Sequence, residues 1–468
     1  MNTIMKTTAV IGGGASGIIA ALTAAENKDR HVVLFERQAR IGRKLLATGN
    51  GRCNLTNTGA TVKNYHGGDP GFTAPALARF SPEQTLDYFK NLGLVSVEQY
   101  GGRVYPLSDS AASVLDVLRF ALDGAGVETR AGTRIERVEK KKDKFRLYSD
   151  SGTEVFTVDS LIIACGGKAG GKLGGVPDGY EILRSFGHSC TKLYPALVPL
   201  RTDTDYPRSL KGIRADGAVS LRKRGKTPAD NVREAFAESS GEILAQSCGE
   251  IQFTEKGISG PAVFDISRAA SVSGGEVTIN FLRNMSPEEV ISMLRARRAS
   301  SPGLENSNIF AGILHSRLGI VLVKYAGLRP SGLIGNLSDS NIHRLAKSAM
   351  NFSMNITGTD SFEGAQVTAG GISVSEFDPG TMESRLVPGL FACGEVLDVD
   401  GDCGGYNLQW AWSSGRLAGR LGAGNPGTMN LSTVNPSMAN PVIVKSGAVN
   451  PGMVNPSAVN PYAGRLEK

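Results

Sequence analysis

The segment TTAVIGGGASGIIAALTAAENKDRHVVLFE leaves a 468-residue chain few ways to begin folding. Thr8 to Ile11 is a short strand pattern, and a glycine turn breaks it. Ala15 to Ala25 is apolar on every helical face, and His31 to Glu36 returns to a strand pattern. The sum is a βαβ unit, whose strands lie parallel under the crossover helix. Its turn reads G-x-G-x-x-G through Gly12, Gly14 and Gly17, and Glu36 follows nineteen residues later, at the end of the second strand. Each position has a mechanical purpose. Gly12 permits a tight turn, Gly14 lets the backbone approach a pyrophosphate, and Gly17 lets helix pack on strand. The helix N-terminus, from Ala15 and Ser16, offers free N–H groups to phosphate oxygens, and Glu36 can accept from both ribose hydroxyls. These features point to dinucleotide binding.

The same stretch has a second reading, because Lys6 followed by apolar Ala9 to Ala25 imitates a secretory signal. Regularly spaced glycines inside it, and the strand behind it, argue for the βαβ unit instead. The six cysteines form no C-x-x-C pair, which suits reduced thiols in a cytoplasmic protein and suggests neither a zinc ribbon nor a redox dithiol. No other run approaches the ~20 apolar residues of a membrane span. The formal charge of +7 is compatible with anionic ligands and does not require nucleic acid. Glycine is in excess, at 59 residues, without a collagen-like period, so it is expected in loops and close backbone approaches.

From Arg37 to Gly68 there is no acid but there are six cations: Arg37, Arg40, Arg43, Lys44, Arg52 and Lys63. Within this stretch lies GRKLLATGNGRCNLTN, whose donors Arg43, Lys44, Asn50, Arg52 and Asn54 suit a pyrophosphate and a ring edge that becomes anionic on reduction. Together with GGGASG, EIQFTEKGISGPAVFDIS and GLFACGEVLDVDGDCGGYNLQWAWSSGRLAG, in that order from about residue 5 to 423, this loop resembles a bacterial NAD(P)/FAD-dependent oxidoreductase family. That family includes an aminoacetone oxidase and a 3-dehydro-bile acid reductase.

The resemblance implies an α/β fold, a Rossmann-like FAD-binding domain of glutathione-reductase type interrupted by an inserted β-rich plus helical domain. On this reading residues 1–192 and 358–424 form the FAD-binding domain and 193–357 the substrate domain, β-rich over 193–284 and helical over 285–357. It implies FAD as cofactor and NADH or NADPH as a transient donor, since no second G-x-G-x-x-G offers a nicotinamide domain. The implied cofactor-binding set comprises Gly12, Gly14, Ala15, Ser16, Gly17, Glu36, Arg37, Arg43, Lys44, Asn50, Gly51, Arg52, Cys53, Asn54, Val138, Gly166, Gly394, Glu395, Gly405, Tyr406, Asn407 and Leu408. Glu395 is carried to the ribityl or pyrophosphate portion of the cofactor.

Along the rest of the chain, helices are expected over Ser81–Leu92 and Ala111–Ala125, and a β-meander over Arg134–Glu139, Phe145–Ser149 and Val155–Val158. Strands are expected at Leu161–Cys165, Ala218–Arg222, Glu276–Phe281 and Leu390–Cys393, and helices at Pro287–Arg298, Asn308–Tyr325 and Ser338–Asn351. DVDGDCGGYNLQ imitates a calcium loop through Asp398, Asp400 and Asp402, but its sixth position is Cys403 and its twelfth Gln409, so no metal is expected. Instead Gly404, Gly405, Tyr406 and Asn407 open a helix whose N-terminus can face the flavin pyrimidine edge. Trp410 and Trp412 are expected in the core or wall, and His188 as a turn stabiliser.

From Asn425 to residue 468 asparagine recurs about every five residues, mostly as Asn-Pro, which suits an extended or turn-rich tail dispensable for flavin binding. The function expected is hydride transfer between a small organic substrate and FAD, with no catalytic acid or base named. Arg52, Cys53 and Tyr406 are candidates at the flavin face, and Cys53 beside Arg52 raises the question of a low-pKa thiol. Two rival functions are a flavin-dependent RNA-modifying enzyme and a non-catalytic FAD-binding redox sensor. Against the first, the basic clusters KKKDK and LRKRGKTP lack interleaved aromatics, so nucleic acid is not expected as a partner.

Overall fold

A computed structural model of the chain describes residues 5–150, 152, 155–203, 206–223 and 242–422. The Asn-Pro segment from 425 and most of LRKRGKTP lie outside the described residues.

The opening segment forms the expected unit: β1 (Lys6–Ile11), α1 (Ala15–Ala24) and β2 (Arg30–Glu36), with Thr8 to Ile11 paired in parallel to Val32 to Phe35. On its other side β1 pairs in parallel with Ser160–Ile163, and that strand with Leu390–Ala392. Glu128–Ala131 completes a five-stranded parallel sheet beside β2. Ala9, Val10, Leu34 and Ile162 are fully buried, because α1 covers one face of the sheet and the antiparallel meander, with Phe156 packed on Phe35, covers the other. The stretch that imitates a secretory signal is thus the central strand and its crossover helix, as the βαβ reading expects.

Every residue of α1 from Ser16 to Ala24 is buried. Much of that burial comes from the helix Tyr406–Gly419, whose glycines allow an unusually close crossing. A Cβ on Gly415 would lie 2.4 Å from the Ser16 carbonyl oxygen, and one on Gly419 2.5 Å from that of Ala20. The late motif segment is therefore packed directly on the opening one.

The meander forms as Ile135–Lys141, Lys144–Ser149 and Val155–Val158. The expected helices form as Pro82–Asn91, with a Ser81/Gln84 capping box, and Ala111–Gly124.

The inserted domain is a closed six-stranded barrel of Leu200–Thr202, Gly257–Ser259, Ile243–Phe253, Arg214–Arg222, Glu276–Asn280 and Phe352–Thr359, in that order around the ring. Its stalk is one antiparallel pair, Tyr194–Ala196 with Val367–Ala369. Two expectations change here. The helical portion ends at Met350 and does not run to 357, because Phe352–Thr359 is the strand that closes the barrel, with Phe352 and Met354 turned into its core. The helix expected at Asn308–Tyr325 starts at Ser316, where the His315 ring accepts from the Arg317 N–H, and a 3-10 turn occupies Asn306–Asn308. Pro287–Ser300 and Asp339–Met350 match their expected helices to within two residues. The helix Pro261–Ser273, which begins within the EIQFTEKGISGPAVFDIS motif and runs past its end, was not foreseen as a helix.

Candidate flavin site and domain seam

The glycine turn sits at the carboxyl ends of the parallel strands, where doubly wound sheets bind ligands. Gly12 has φ 112°, and a Cβ there would lie 2.3 Å from the Ala164 carbonyl oxygen. A Cβ on Gly17 would fall 1.8 Å from the Gly12 oxygen, so this position tolerates no side chain. Gly14 differs: nothing lies within 4 Å of its added Cβ, and the same holds at Gly166, φ 70°. The first two glycines are demanded by the protein, whereas the open positions suit a bound group. Gly13, which the motif reading passed over, donates its N–H to Glu36 Oε2 at 2.9 Å, and Gln38 N–H reaches Oε1 at 2.7 Å. The Glu36 carboxylate is thereby held against the turn.

Beside it a small cavity is lined by Gly12, Glu36, Arg37, Arg134, Cys165 and Asp178 among others. Arg134 is fixed by a two-pronged bond to Asp178, at 2.8 and 3.2 Å. Arg37 Nε is buried in the wall without a hydrogen-bond partner. An orphaned guanidinium beside a ribose-ready carboxylate and an open glycine is what a dinucleotide would complete. Val138 lies in the hydrophobic core on the adjoining strand, and from this segment the cavity wall takes Thr133, Arg134 and Ile135.

The basic loop folds over the same end of the sheet. Arg43–Ala47 is a short helix, followed by left-handed Gly49, Asn50 and Gly51 at φ 57°, 57° and 85°. Lys44 Nζ meets Glu395 Oε2 at 2.8 Å, and Glu395 Oε1 accepts the Thr368 N–H at 2.8 Å. This bond ties the first FAD segment to the second. Arg43 bonds Gln38, whereas Arg52 pairs with Asp109 and lies over the Tyr105 ring. Cys53 is fully buried, and burial pushes its thiol up to about 12, the opposite of a reactive thiolate. The low-pKa possibility raised by its neighbour Arg52 is thereby corrected, since that guanidinium is engaged by Asp109.

Gly405 caps the helix Tyr406–Gly419 with φ 99°, and a Cβ there would strike the Thr56 carbonyl at 2.5 Å. In its satisfied orientation the Asn54 amide oxygen accepts the Gly405 N–H at 3.2 Å. The Gln409 side chain, fully buried, bonds Thr56, Phe80, Thr85 and Ser413. The Asn407 side chain is committed to Gly401 and Asp402, so only its backbone N–H, with those of Tyr406 and Leu408, is free to face a ligand. Gly394 admits no side chain, since a Cβ there would meet Ser16 Oγ at 2.5 Å. Trp410 and Trp412 are buried and donate to Gly394 and Leu55 carbonyls, which makes them walls of the site.

His188 is a long-range clamp as well as a local one. Its buried ring bonds Glu376 and Ser384 at 2.8 and 2.9 Å and stacks on Phe377. The three aspartates of the calcium-like loop go to separate partners: Asp398 to the Gly68 N–H, Asp400 to Arg268, and Asp402 to His66 and Asn64.

Two of these bonds lead to the inserted domain. From its helix Pro261–Ser273, Arg268 grips Asp400 at 2.8 and 3.1 Å, and Asp265 accepts the Cys403 N–H at 3.2 Å and the Ser247 hydroxyl at 2.7 Å. The domains therefore meet along a seam immediately before the helix start at Gly405. Asp265, Ser247, Cys403, Tyr406 and Arg103 line it half-buried. Burial raises Asp265 despite the two hydrogen bonds it accepts, and Tyr406 is raised by burial and by Asp402. The sequence offered one signal for Asp265, its place in the GISGPAVFDIS motif, and none for Arg103.

Residues 6–421 match the HI0933-like protein Rossmann domain family. The 3-dehydro-bile acid delta(4,6)-reductase of Clostridium scindens is 38% identical over 90% of this chain and 100% of its own length. The ribosomal RNA dihydrouridine synthases of Escherichia coli and Haemophilus influenzae are 31% and 30% identical, each over 86% of this chain and 95% of their own. Among solved structures, an open conformation of a flavocytochrome c3 fumarate reductase aligns over 88% of this chain and 77% of that one, at 16% identity and a TM-score of 0.41. Among the described residues, no helix is long and apolar enough to cross a membrane. With its glycine turn, its half-buried acid and its two interlocked segments, the chain belongs to the HI0933-like family and is an FAD-dependent oxidoreductase.

Proposed function

We propose that the chain is a reductase that adds hydrogen across a carbon–carbon double bond conjugated with a carbonyl group, with NADH or NADPH as the external donor. The observation that carries this reading is the shared chemistry in its relatives' names. A delta(4,6)-reductase of a 3-dehydro-bile acid and a dihydrouridine synthase both saturate such a bond, one on a steroid and one on a pyrimidine. Bound FAD supplies the hydride; this chain's residues hold the cofactor, orient the substrate and manage charge.

Glu36 and the open Gly14 position suit the ribose and pyrophosphate, Arg37 completes its bonding there, and the N–H groups at Tyr406 to Leu408 suit the pyrimidine edge. The seam is the substrate's place, because it adjoins that edge and is lined by polar groups from both domains. A small conjugated ketone is the first reading for the substrate. A uridine in ribosomal RNA is the second, favoured by the two synthase relatives at 31% and 30% identity.

The test is an anaerobic titration of the holoenzyme with NADH and then NADPH, followed by addition of 2-cyclohexen-1-one, uridine-containing ribosomal RNA, or oxygen. Bleaching by a nicotinamide and recovery of the oxidised spectrum with one of the two conjugated acceptors is the expected result. Recovery with oxygen alone, releasing peroxide, would replace the reductase by an oxidase.

A further inference from the structure

Any addition of hydrogen across a conjugated double bond needs two groups besides the hydride source. One stabilises the negative charge that collects on the carbonyl oxygen, and one delivers a proton to the carbon beside it. The seam contains one candidate for each. Arg103 is half-buried in the strand Arg103–Pro106, and its Nε lies 3.3 Å from where a Gly404 Cβ would be. Among the described residues its guanidinium makes no hydrogen bond or ion pair, unlike Arg52 on Asp109, Arg268 on Asp400 and Arg283 on Asp216. A guanidinium left unpaired between acids at a domain boundary is a poor structural device and a good anion receptor.

Opposite it, Asp265 reaches across from the inserted domain. The groups facing it are Ser247 from the barrel strand, the Cys403 N–H and Asp402 from the loop, Arg103, and the Tyr406 phenol. Among the described residues no cation pairs with its carboxyl oxygens, and burial, outweighing the field of Arg103, favours the protonated form. The Cys403 thiol, pushed up to about 11 by burial, stays protonated beside it.

Resting on the reading of function above, we infer that Arg103 binds the substrate's carbonyl oxygen and that Asp265 is the proton donor. As the hydride adds to the carbon remote from the carbonyl, the π electron pair moves toward the near carbon and onto the oxygen, where Arg103 meets the charge. The near carbon then forms its C–H bond with the proton leaving the Asp265 carboxyl, and the carboxylate recovers a proton from solvent. The two electrons originate in the nicotinamide donor. The inserted domain is thereby a participant in the chemistry, and the Arg268–Asp400 bond sets the position of its acid.

Two measurements test this. The first is binding of 4-nitrophenolate to the holoenzyme, followed by the probe's own absorption, which reports an oxyanion site without turnover. Wild type should bind the phenolate and lower the probe's apparent pKa. Arg103→Ala should weaken binding at least tenfold, and Arg103→Lys should restore part of it. Equal binding by wild type and Arg103→Ala overturns the oxyanion assignment.

The second is stopped-flow recovery of the flavin spectrum when dithionite-reduced holoenzyme meets 2-cyclohexen-1-one. Asp265→Asn, whose amide oxygen can still accept the Cys403 N–H while its NH2 donates to the Ser247 hydroxyl oxygen, should recover about a hundredfold or more slowly. It should also lose the fall in rate that wild type shows as pH rises through the pKa of the acid. Reduction by the donor should be unchanged. If wild type is reoxidised and Asp265→Asn matches its rate, the proton-donor assignment falls while the function stands. If wild type binds the phenolate but no conjugated carbonyl reoxidises it, the reading of function falls and the anion site stands.

Discussion

Replacing Gly14 by Val separates folding from cofactor binding, because the protein itself makes no use of the empty space there. The residue is the cap of α1 at φ −85° and ψ −171°, an extended conformation that valine adopts freely, and nothing lies within 4 Å of the added Cβ. Losing a good capping residue costs up to about 1 kcal/mol, and stiffening the unfolded chain returns about 0.4–1 kcal/mol. The apoprotein's stability should therefore change by less than about 1 kcal/mol. FAD binding should suffer far more. The valine branches fill the approach to the helix N-terminus, and each backbone N–H bond to a charged phosphate is worth about 1.5–3 kcal/mol. Loss of two such bonds weakens binding by a factor of at least a hundred. Gly17→Ala makes the contrast, since its Cβ would fall 1.8 Å from the Gly12 oxygen and the βαβ unit cannot close around it. The assays are thermal melting of the apoproteins and titration with FAD followed by quenching of flavin fluorescence. A Gly14→Val protein that binds FAD with wild-type affinity would falsify the placement of the pyrophosphate.

Other substitutions probe the remaining contacts. Glu36→Ala leaves the Gly13 and Gln38 N–H groups unpaired, so the purified protein should lose most of its yellow colour and about 1–2 kcal/mol of stability; a variant that purifies fully yellow removes the ribose assignment. Cys53, raised to about 12 by burial, should resist iodoacetamide at pH 8 in the native protein while exposed Cys248 reacts, as read by peptide mass spectrometry, and fast labelling at Cys53 contradicts the buried site. Arg268→Ala strands the Asp400 carboxylate, which is 2% exposed, and should lower stability by about 2 kcal/mol, with Asp400→Asn in the same chain recovering much of it. No recovery in that double variant would mean the pair does not lock the domains.

The course of β1, α1 and β2 was legible because local patterning and the glycine spacing point the same way. A turn between parallel strands needs positive φ at Gly12, and a helix that close to its strand needs no side chain at Gly17. The meander and most helices were legible for the same reason. The barrel's last strand was not, since Phe352–Thr359 alternates weakly and carries a glycine, and only its neighbours Leu200–Thr202 and Glu276–Asn280 give it a place. Cys53 looked chemical in sequence, but burial, invisible to spacing, keeps its thiol protonated, and its neighbour Arg52 is engaged by Asp109.

By itself, then, the sequence determined the βαβ unit and a glycine turn suited to a dinucleotide, because those features depend on spacing along the chain; the late segment's share in the same cofactor was an expectation from the family resemblance. Tertiary structure alone decided which cations remain unpaired and which acids face them. Arg103 and Asp265 are 162 positions apart and belong to different domains. They come together only because the inserted domain's helix docks through Arg268 onto the loop that precedes Gly405, and an ion's partner is a matter of distance in space.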